Sequence, residues 1–263
     1  MRIAANGISM NYAFDGPSGA PVVMMSHSLA TDFGMWDPTV PPLTPRWRVL
    51  RYETRGHGAT EAPSGPYTLE QLAADALALL RALGIQRVHW VGLSLGGMIG
   101  QTLALAAPDV LLSLALCDTT SRAPADAKPL WEERIRTAET TGMTALVEPT
   151  LARWFTASFR ERRKDVIDRV ATMIRTTPVT GYTGCCHAIM NLNLTNRLGD
   201  IKLPTMVIVG EHDAGTPVAA SRVIAENIKG ARLQVIPSAA HLSNMEQPEA
   251  FNQALGGFLA EVR

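Results

Sequence analysis

Apolar residues along this chain fall into short β-branched runs that alternate with longer stretches of helical periodicity. That alternation predicts an α/β fold, a mostly parallel twisted sheet with helices on both faces. The first two runs, Arg2–Ala5 and Ile8–Tyr12, are joined by Asn6-Gly7. This dipeptide suits a tight hairpin turn, so the two strands are expected to pair antiparallel. Buried strands are predicted at Val22–Ser26 and Arg48–Tyr52, and further strands at Val88–Gly92 and Leu112–Cys117. A helix over Leu69–Leu83 has Thr68 as N-cap and Gly84 as stop, and another begins near Leu95, directly after a strand, and runs to Ala107.

From Arg122 to Asn196 the rhythm changes. Strand signals vanish, and helical patterns rich in arginine and glutamate take over, interrupted by Pro149 and Pro178. Strands return at Thr205–Gly210 and Leu233–Ile236, followed by helices over Val218–Ile228 and Pro248–Val262. The expected organisation is a core domain of residues 1–121 and 197–263. Residues 122–196 then form a helical lid inserted into it.

Charge narrows the partners. Lysine plus arginine equals aspartate plus glutamate, 24 each, so no net field attracts nucleic acid or an anionic membrane. No apolar run reaches the roughly 20 residues that span a bilayer. The opening stretch MRIAANGISMNY lacks the features of a signal peptide. Cys117, Cys185 and Cys186 do not make a disulfide framework, and no metal-ligand spacing occurs. These features together predict a cytoplasmic protein with reduced thiols and no metal; the oligomeric state is not readable. Arg160 to Asp165 mixes signs and reads as a solvated helix face.

One segment carries chemistry. VHWVGLSLGGMIG contains G-x-S-x-G as Gly92-Leu93-Ser94-Leu95-Gly96, with an apolar strand before it and an apolar helix after it. A serine on such a strand-to-helix turn stands clear of the sheet at a helix N-terminus, which makes Ser94 the candidate nucleophile. Its hydroxyl needs a base and an orienting acid, in the chain order Ser, Asp or Glu, His. Of six histidines, His241 in SAAHLSNME follows the last strand and is the expected base. The acid has two seats at strand ends. Asp213 in VGEHDAGTP has the commoner placement, with Gly-Thr-Pro after it to stiffen the loop; Asp118 in LALCDTT is the alternative, and otherwise caps the entry to the lid.

A tetrahedral intermediate needs two N–H donors. Leu95, after the nucleophile, is one candidate; Leu29, in the loop SHSLATDFGMW, is the other. In that loop His27 and Ser28 are candidate substrate contacts, His27 equally a structural histidine and Ser28 a source of a hydroxyl for substrate or backbone. In the insertion, LARWFT joins Arg153, a natural partner for a substrate carboxylate, to Trp154, which can wall an apolar pocket. A surface arginine beside a lid-packing tryptophan is the competing reading. Trp36 is expected to be a core or lid contact.

The stretches SHSLATDFGMW, VLRYETRGHGATEAPSGPYTLEQLAADAL, GLSLGGMIG, LARWFT, GEHDAGTP and AAHLSNME, in this order, resemble the α/β-hydrolases, and within them the 3-oxoadipate enol-lactonase group of esterases and lactonases. The resemblance implies Ser94, Asp213 and His241 as triad, Leu29 and Leu95 as oxyanion donors, a small ester or lactone substrate, and no cofactor. His27 departs from it, since enol-lactonases are expected to carry asparagine there, and Glu53 stands where many relatives have aspartate. Broad carboxylesterases and acyl-homoserine lactone lactonases share the skeleton. A ligand receptor that kept the fold without turnover is a further reading from a different class.

Overall fold

The computed structural model describes residues 1–124 and 126–262. Its strands are β1 (Arg2–Ala5), β2 (Ile8–Asp15), β3 (Val22–Ser26), β4 (Arg48–Tyr52), β5 (Val88–Leu93), β6 (Leu111–Cys117), β7 (Thr205–Gly210) and β8 (Arg232–Ile236). They form one sheet in the order β1-β2-β4-β3-β5-β6-β7-β8. The β1–β2 and β2–β4 pairs are antiparallel, and all the others are parallel. Asn6 and Gly7 both have positive φ, 48° and 77°, as the predicted hairpin turn requires.

The helices are α1 (Val40–Leu43), α2 (Leu69–Ala82), α3 (Leu95–Ala106), α4 (Lys128–Thr141), α5 (Val147–Trp154), α6 (Ala157–Arg162), α7 (Lys164–Thr176), α8 (Val179–Met190), α9 (Val218–Asn227), α10 (Ser243–Glu246) and α11 (Pro248–Glu261). Thr68 caps α2 by accepting the Gln71 N–H, and Gly84 lies just past its end with φ 68°. The short α1 and α10 were not foreseen; each is four residues, too short for periodicity to register.

Helices α4 to α8 all lie between β6 and β7. The chain leaves and returns side by side: Arg122 bridges Asn193, and the Ser121 and Thr195 hydroxyls meet at 2.8 Å. Pro149 does not interrupt this block as expected. It sits in the first turn of α5, where a missing N–H leaves no helical bond unmade. Pro178 does punctuate, as the residue before α8.

Two features locate the site. Strand β5 is buried at every position, as a central parallel strand covered on both faces must be. The sheet order also reverses next to it, because β4 lies on one side of β3 and β5 on the other. Such a switch point opens a crevice beyond the strand C-termini. The loop after β3 and the turn after β5 both end there.

Candidate active site

Ser94 sits between β5 and α3 with φ 56° and ψ −112°, a conformation that costs an L-residue about 1–3 kcal/mol. The strain is held from several sides. Ser94 N–H donates to the Cys117 carbonyl at 2.8 Å, and its own carbonyl accepts from the Thr119 hydroxyl at 2.7 Å. Glycine is obligatory beside it: a Cβ on Gly92 would collide with the Gly96 carbonyl, and one on Gly96 with the carbonyl of Ser26 in β3. The turn therefore rests directly on the neighbouring strand.

His241 lies in the loop after β8. Its Nδ1 is 2.8 Å from Asp213 Oδ2, and both residues are buried. Asp213 in turn accepts from Gly215 N–H at 2.8 Å, Thr216 N–H at 3.0 Å and the Thr216 hydroxyl at 2.7 Å. Burial alone would raise this carboxyl; the facing His241 and these hydrogen bonds outweigh it and hold it below its ordinary range. The Gly-Thr pair after Asp213 thus stiffens the loop by binding the carboxylate itself.

Asp118, the alternative acid, is turned elsewhere. It accepts from Gly210 N–H at 2.8 Å and pairs with the Ser243 hydroxyl, so it ties the ends of β6 and β7 to the start of α10, two residues past His241. Burial and the nearby Asp213 push it well above the usual carboxylate range. It clamps three core segments rather than capping the entry to the helical block.

A cavity of about 390 Å³ brings most of the remaining candidates together, though Leu95 is not among the residues that line it. Ser94 and His241 line it, with Ser28, Leu29, Thr216, Arg153 and Trp154. Neither Leu29 N–H nor Leu95 N–H donates to any described residue, and the Ser28 hydroxyl has no partner among them either. Helix α5 covers the imidazole: the Trp154 ring stacks on His241 with centroids 5.8 Å apart and planes at 29°.

The family model for the alpha/beta hydrolase fold matches residues 21–248. The chain belongs to the α/β-hydrolase family. Among curated relatives, this α/β-hydrolase is 33% identical to 3-oxoadipate enol-lactonase 2 of Acinetobacter baylyi, over 96% of this chain and 94% of the relative. Among solved structures, the enol-lactonase from Burkholderia xenovorans LB400 superposes with a TM-score of 0.96 at 40% identity, covering 99% of this chain and 100% of that one. A thermophilic esterase from Thermogutta terrifontis gives 0.92 at 29% identity, with 99% and 98% covered.

One expected contact moves out of this α/β-hydrolase's cavity. His27 is fully buried, does not line the cavity, and engages backbone through both ring nitrogens: Nε2 accepts the Thr54 N–H at 2.9 Å and Nδ1 donates to the Ser28 carbonyl at 2.7 Å. It is a structural histidine, because an imidazole with both nitrogens spent has nothing left for a substrate. Trp36 is likewise core, packed 6.3 Å from Phe251.

Two residues escaped the sequence reading. Arg134 of α4 lines the cavity beside Arg153, and neither forms an ion pair with a described carboxylate. Burial and the charge of Arg134 lower Arg153 to about 10. Glu246 of α10 accepts from Thr156 N–H at 3.1 Å and Ala240 N–H at 2.9 Å, and so joins the end of α5 to the His241 loop. The charge-rich segment WEERIRT held no sign of which arginine turns inward, and Glu246 lay in an unpredicted helix. Among the described residues no group of three His, Cys, Asp or Glu side chains converges as a metal site, and no helix is long and apolar enough to cross a membrane. The three cysteines are buried and unbridged.

Proposed function

We propose that this protein is a serine hydrolase that cleaves small carboxylate-bearing lactones or esters, with enol-lactones such as that of 3-oxoadipate as the preferred class. The observation that carries the reading is one cavity lined at once by Ser94, by the Asp213-bound His241, and by the unpaired Arg134 and Arg153. Two guanidinium groups line one cavity, and the charge of Arg134 disfavours that of Arg153; an anionic substrate relieves that repulsion. The names of the relatives point the same way.

In the mechanism, His241 Nε2 removes the Ser94 proton as Oγ attacks the carbonyl carbon. Asp213 keeps the Nδ1–H tautomer and faces the imidazolium as it forms. The Leu29 and Leu95 N–H groups stabilise the oxyanion, and the unpartnered Ser28 hydroxyl stands beside them as a further donor. Collapse of the intermediate returns the proton from His241 to the departing oxygen. Water then repeats the sequence on the acyl-enzyme and frees Ser94. Helices α4 to α8 act as the lid that closes the acyl pocket.

The test is catalytic efficiency on an enol-lactone with a free carboxylate, an acyl-homoserine lactone and short neutral esters, for the parent, Ser94→Ala and Arg153→Ala proteins. Ser94→Ala should lower kcat by on the order of 10⁶. Arg153→Ala should raise KM for the acidic lactone by roughly 10–100-fold, the worth of a charge-assisted hydrogen bond, with far less effect on neutral esters. Equal effects on both substrate types would exclude the carboxylate class and leave a broad esterase. No turnover on any of them would favour a ligand receptor.

A further inference from the structure

Two buried imidazoles lie directly behind the loop that offers the Leu29 N–H. The peptide linking Ser28 and Leu29 is held by its carbonyl end, since Ser28 O accepts from His27 Nδ1–H at 2.7 Å, from the Thr31 hydroxyl at 2.8 Å and from Thr31 N–H at 3.3 Å. A trans peptide is planar with its C=O and N–H antiparallel, so pinning the oxygen aims the Leu29 N–H the opposite way. The next peptide is held by its other end. Ala30 N–H donates to His57 Nε2 at 3.0 Å, and Ala30 takes a left-handed φ of 59° that an alanine does not choose unaided.

The two rings form a unit. Their centroids are 5.2 Å apart, both are fully buried, and neither lines the cavity. Each tautomer is dictated by its neighbours. Thr54 N–H occupies His27 Nε2, which leaves the proton on Nδ1 for Ser28; Ala30 N–H occupies His57 Nε2, which leaves Nδ1–H facing the Arg55 carbonyl at 3.2 Å. The segment carrying His57 is itself anchored. Arg55 grips Asp75 of α2 with two bonds of 2.7 Å, and the Glu53 carboxylate accepts the Ala59 N–H at 2.6 Å.

We infer that His27 and His57 are the positioning residues of the oxyanion hole: between them they fix the two consecutive peptide planes that flank Leu29 and hold its N–H pointed into the cavity. The inference rests on the reading of Leu29 as an oxyanion donor. Neutrality of both rings is part of the arrangement, because a proton on His57 Nε2 would eject the Ala30 N–H. Burial lowers His27 to about 4, and burial with the neighbouring His27 lowers His57 to about 3, so both stay neutral wherever a histidine base can work.

The deciding comparison is His57→Gln against His57→Asn. Glutamine can present its carbonyl oxygen near the place of Nε2, whereas asparagine is too short to reach the Ala30 N–H. His57→Asn should lower kcat by about 10–100-fold, part of the 10²–10³ that losing a donor outright costs, with KM little changed. His57→Gln should recover most of that loss. The parallel readout is the ¹⁵N–¹H signal of Leu29 as phenylboronic acid forms its tetrahedral adduct on Ser94: a downfield amide proton shift in the parent protein, diminished in His57→Asn and regained in His57→Gln. No Leu29 shift in the parent overturns the donor reading itself, and this inference with it. A Leu29 shift in the parent that stays the same in both variants, with equal kcat, shows that the donor reading holds and that the histidines only fill space.

Discussion

Trp154 lies over the imidazole of His241, ring centroids 5.8 Å apart, while its own carbonyl accepts the Leu242 N–H at 3.2 Å. The residue next to Arg153 therefore touches the histidine loop by side chain and backbone alike. Glu246 reinforces the joint by accepting N–H groups from Thr156 and Ala240. Helix α5 and the loop that carries His241 are one packed unit.

Removing the stacked ring should loosen the imidazole. Trp154→Ala is expected to lower kcat about 3–10-fold, corresponding to the 0.5–1.5 kcal/mol of an aromatic pair, and Trp154→Phe to keep most of the rate. Steady-state kinetics on a neutral ester, which does not involve Arg153, isolates this effect. An unchanged kcat in Trp154→Ala would mean that the stacking is incidental to the base.

The two acidic seats separate by substitution. Asp213→Asn should cost about 10⁴ in kcat, because the amide cannot support the charged imidazole and favours the wrong tautomer. Asp118→Asn should stay near the parent in both rate and stability. Burial already favours the uncharged form of Asp118, and asparagine can still accept from Gly210 N–H and bond Ser243. Asp118→Ala should instead lose about 1–3 kcal/mol of stability by stranding those partners. A larger rate loss for Asp118→Asn than for Asp213→Asn would reverse the assignment.

Acid should destabilise the protein through its buried histidines. His27 and His57 are held at about 4 and about 3, below their ordinary 6.5. Below pH 6.5 the unfolded chain takes up protons that the folded one refuses, so stability falls as pH drops, by up to about 1.4 kcal/mol per pH unit for each ring. The loss continues to about pH 4 for His27 and about pH 3 for His57. Urea unfolding at pH 7.0, 6.0 and 5.0 measures the slope. It should be shallower by one proton in His27→Asn; the same slope in parent and variant would show that His27 carries none of it.

Much of this molecule is local, and local features are readable in a sequence. Strands β3, β4 and β7 keep their expected bounds, and Thr68 and Gly84 bracket α2, because strand runs, caps and left-handed stops act within a few residues. The elbow at Ser94 was legible for the same reason: its glycines are demanded by contacts of a short turn with the adjoining strand. Everything that depended on which side of a residue faces inward waited for the tertiary structure. His27 was a candidate contact until Thr54, far along the chain, was found to fill its second nitrogen. Asp118 and Asp213 both follow strands, and only their tertiary partners tell them apart: Asp118 is taken up by Gly210 N–H and Ser243, whereas Asp213 meets His241 at 2.8 Å. Arg134 and Glu246 carry no motif; one matters through the cavity it enters, the other through two distant N–H groups it joins. Chain order and residue type determined the fold and the candidate chemistry. The direction of each side chain is set by packing between segments that lie far apart in sequence, and only the folded molecule decides that.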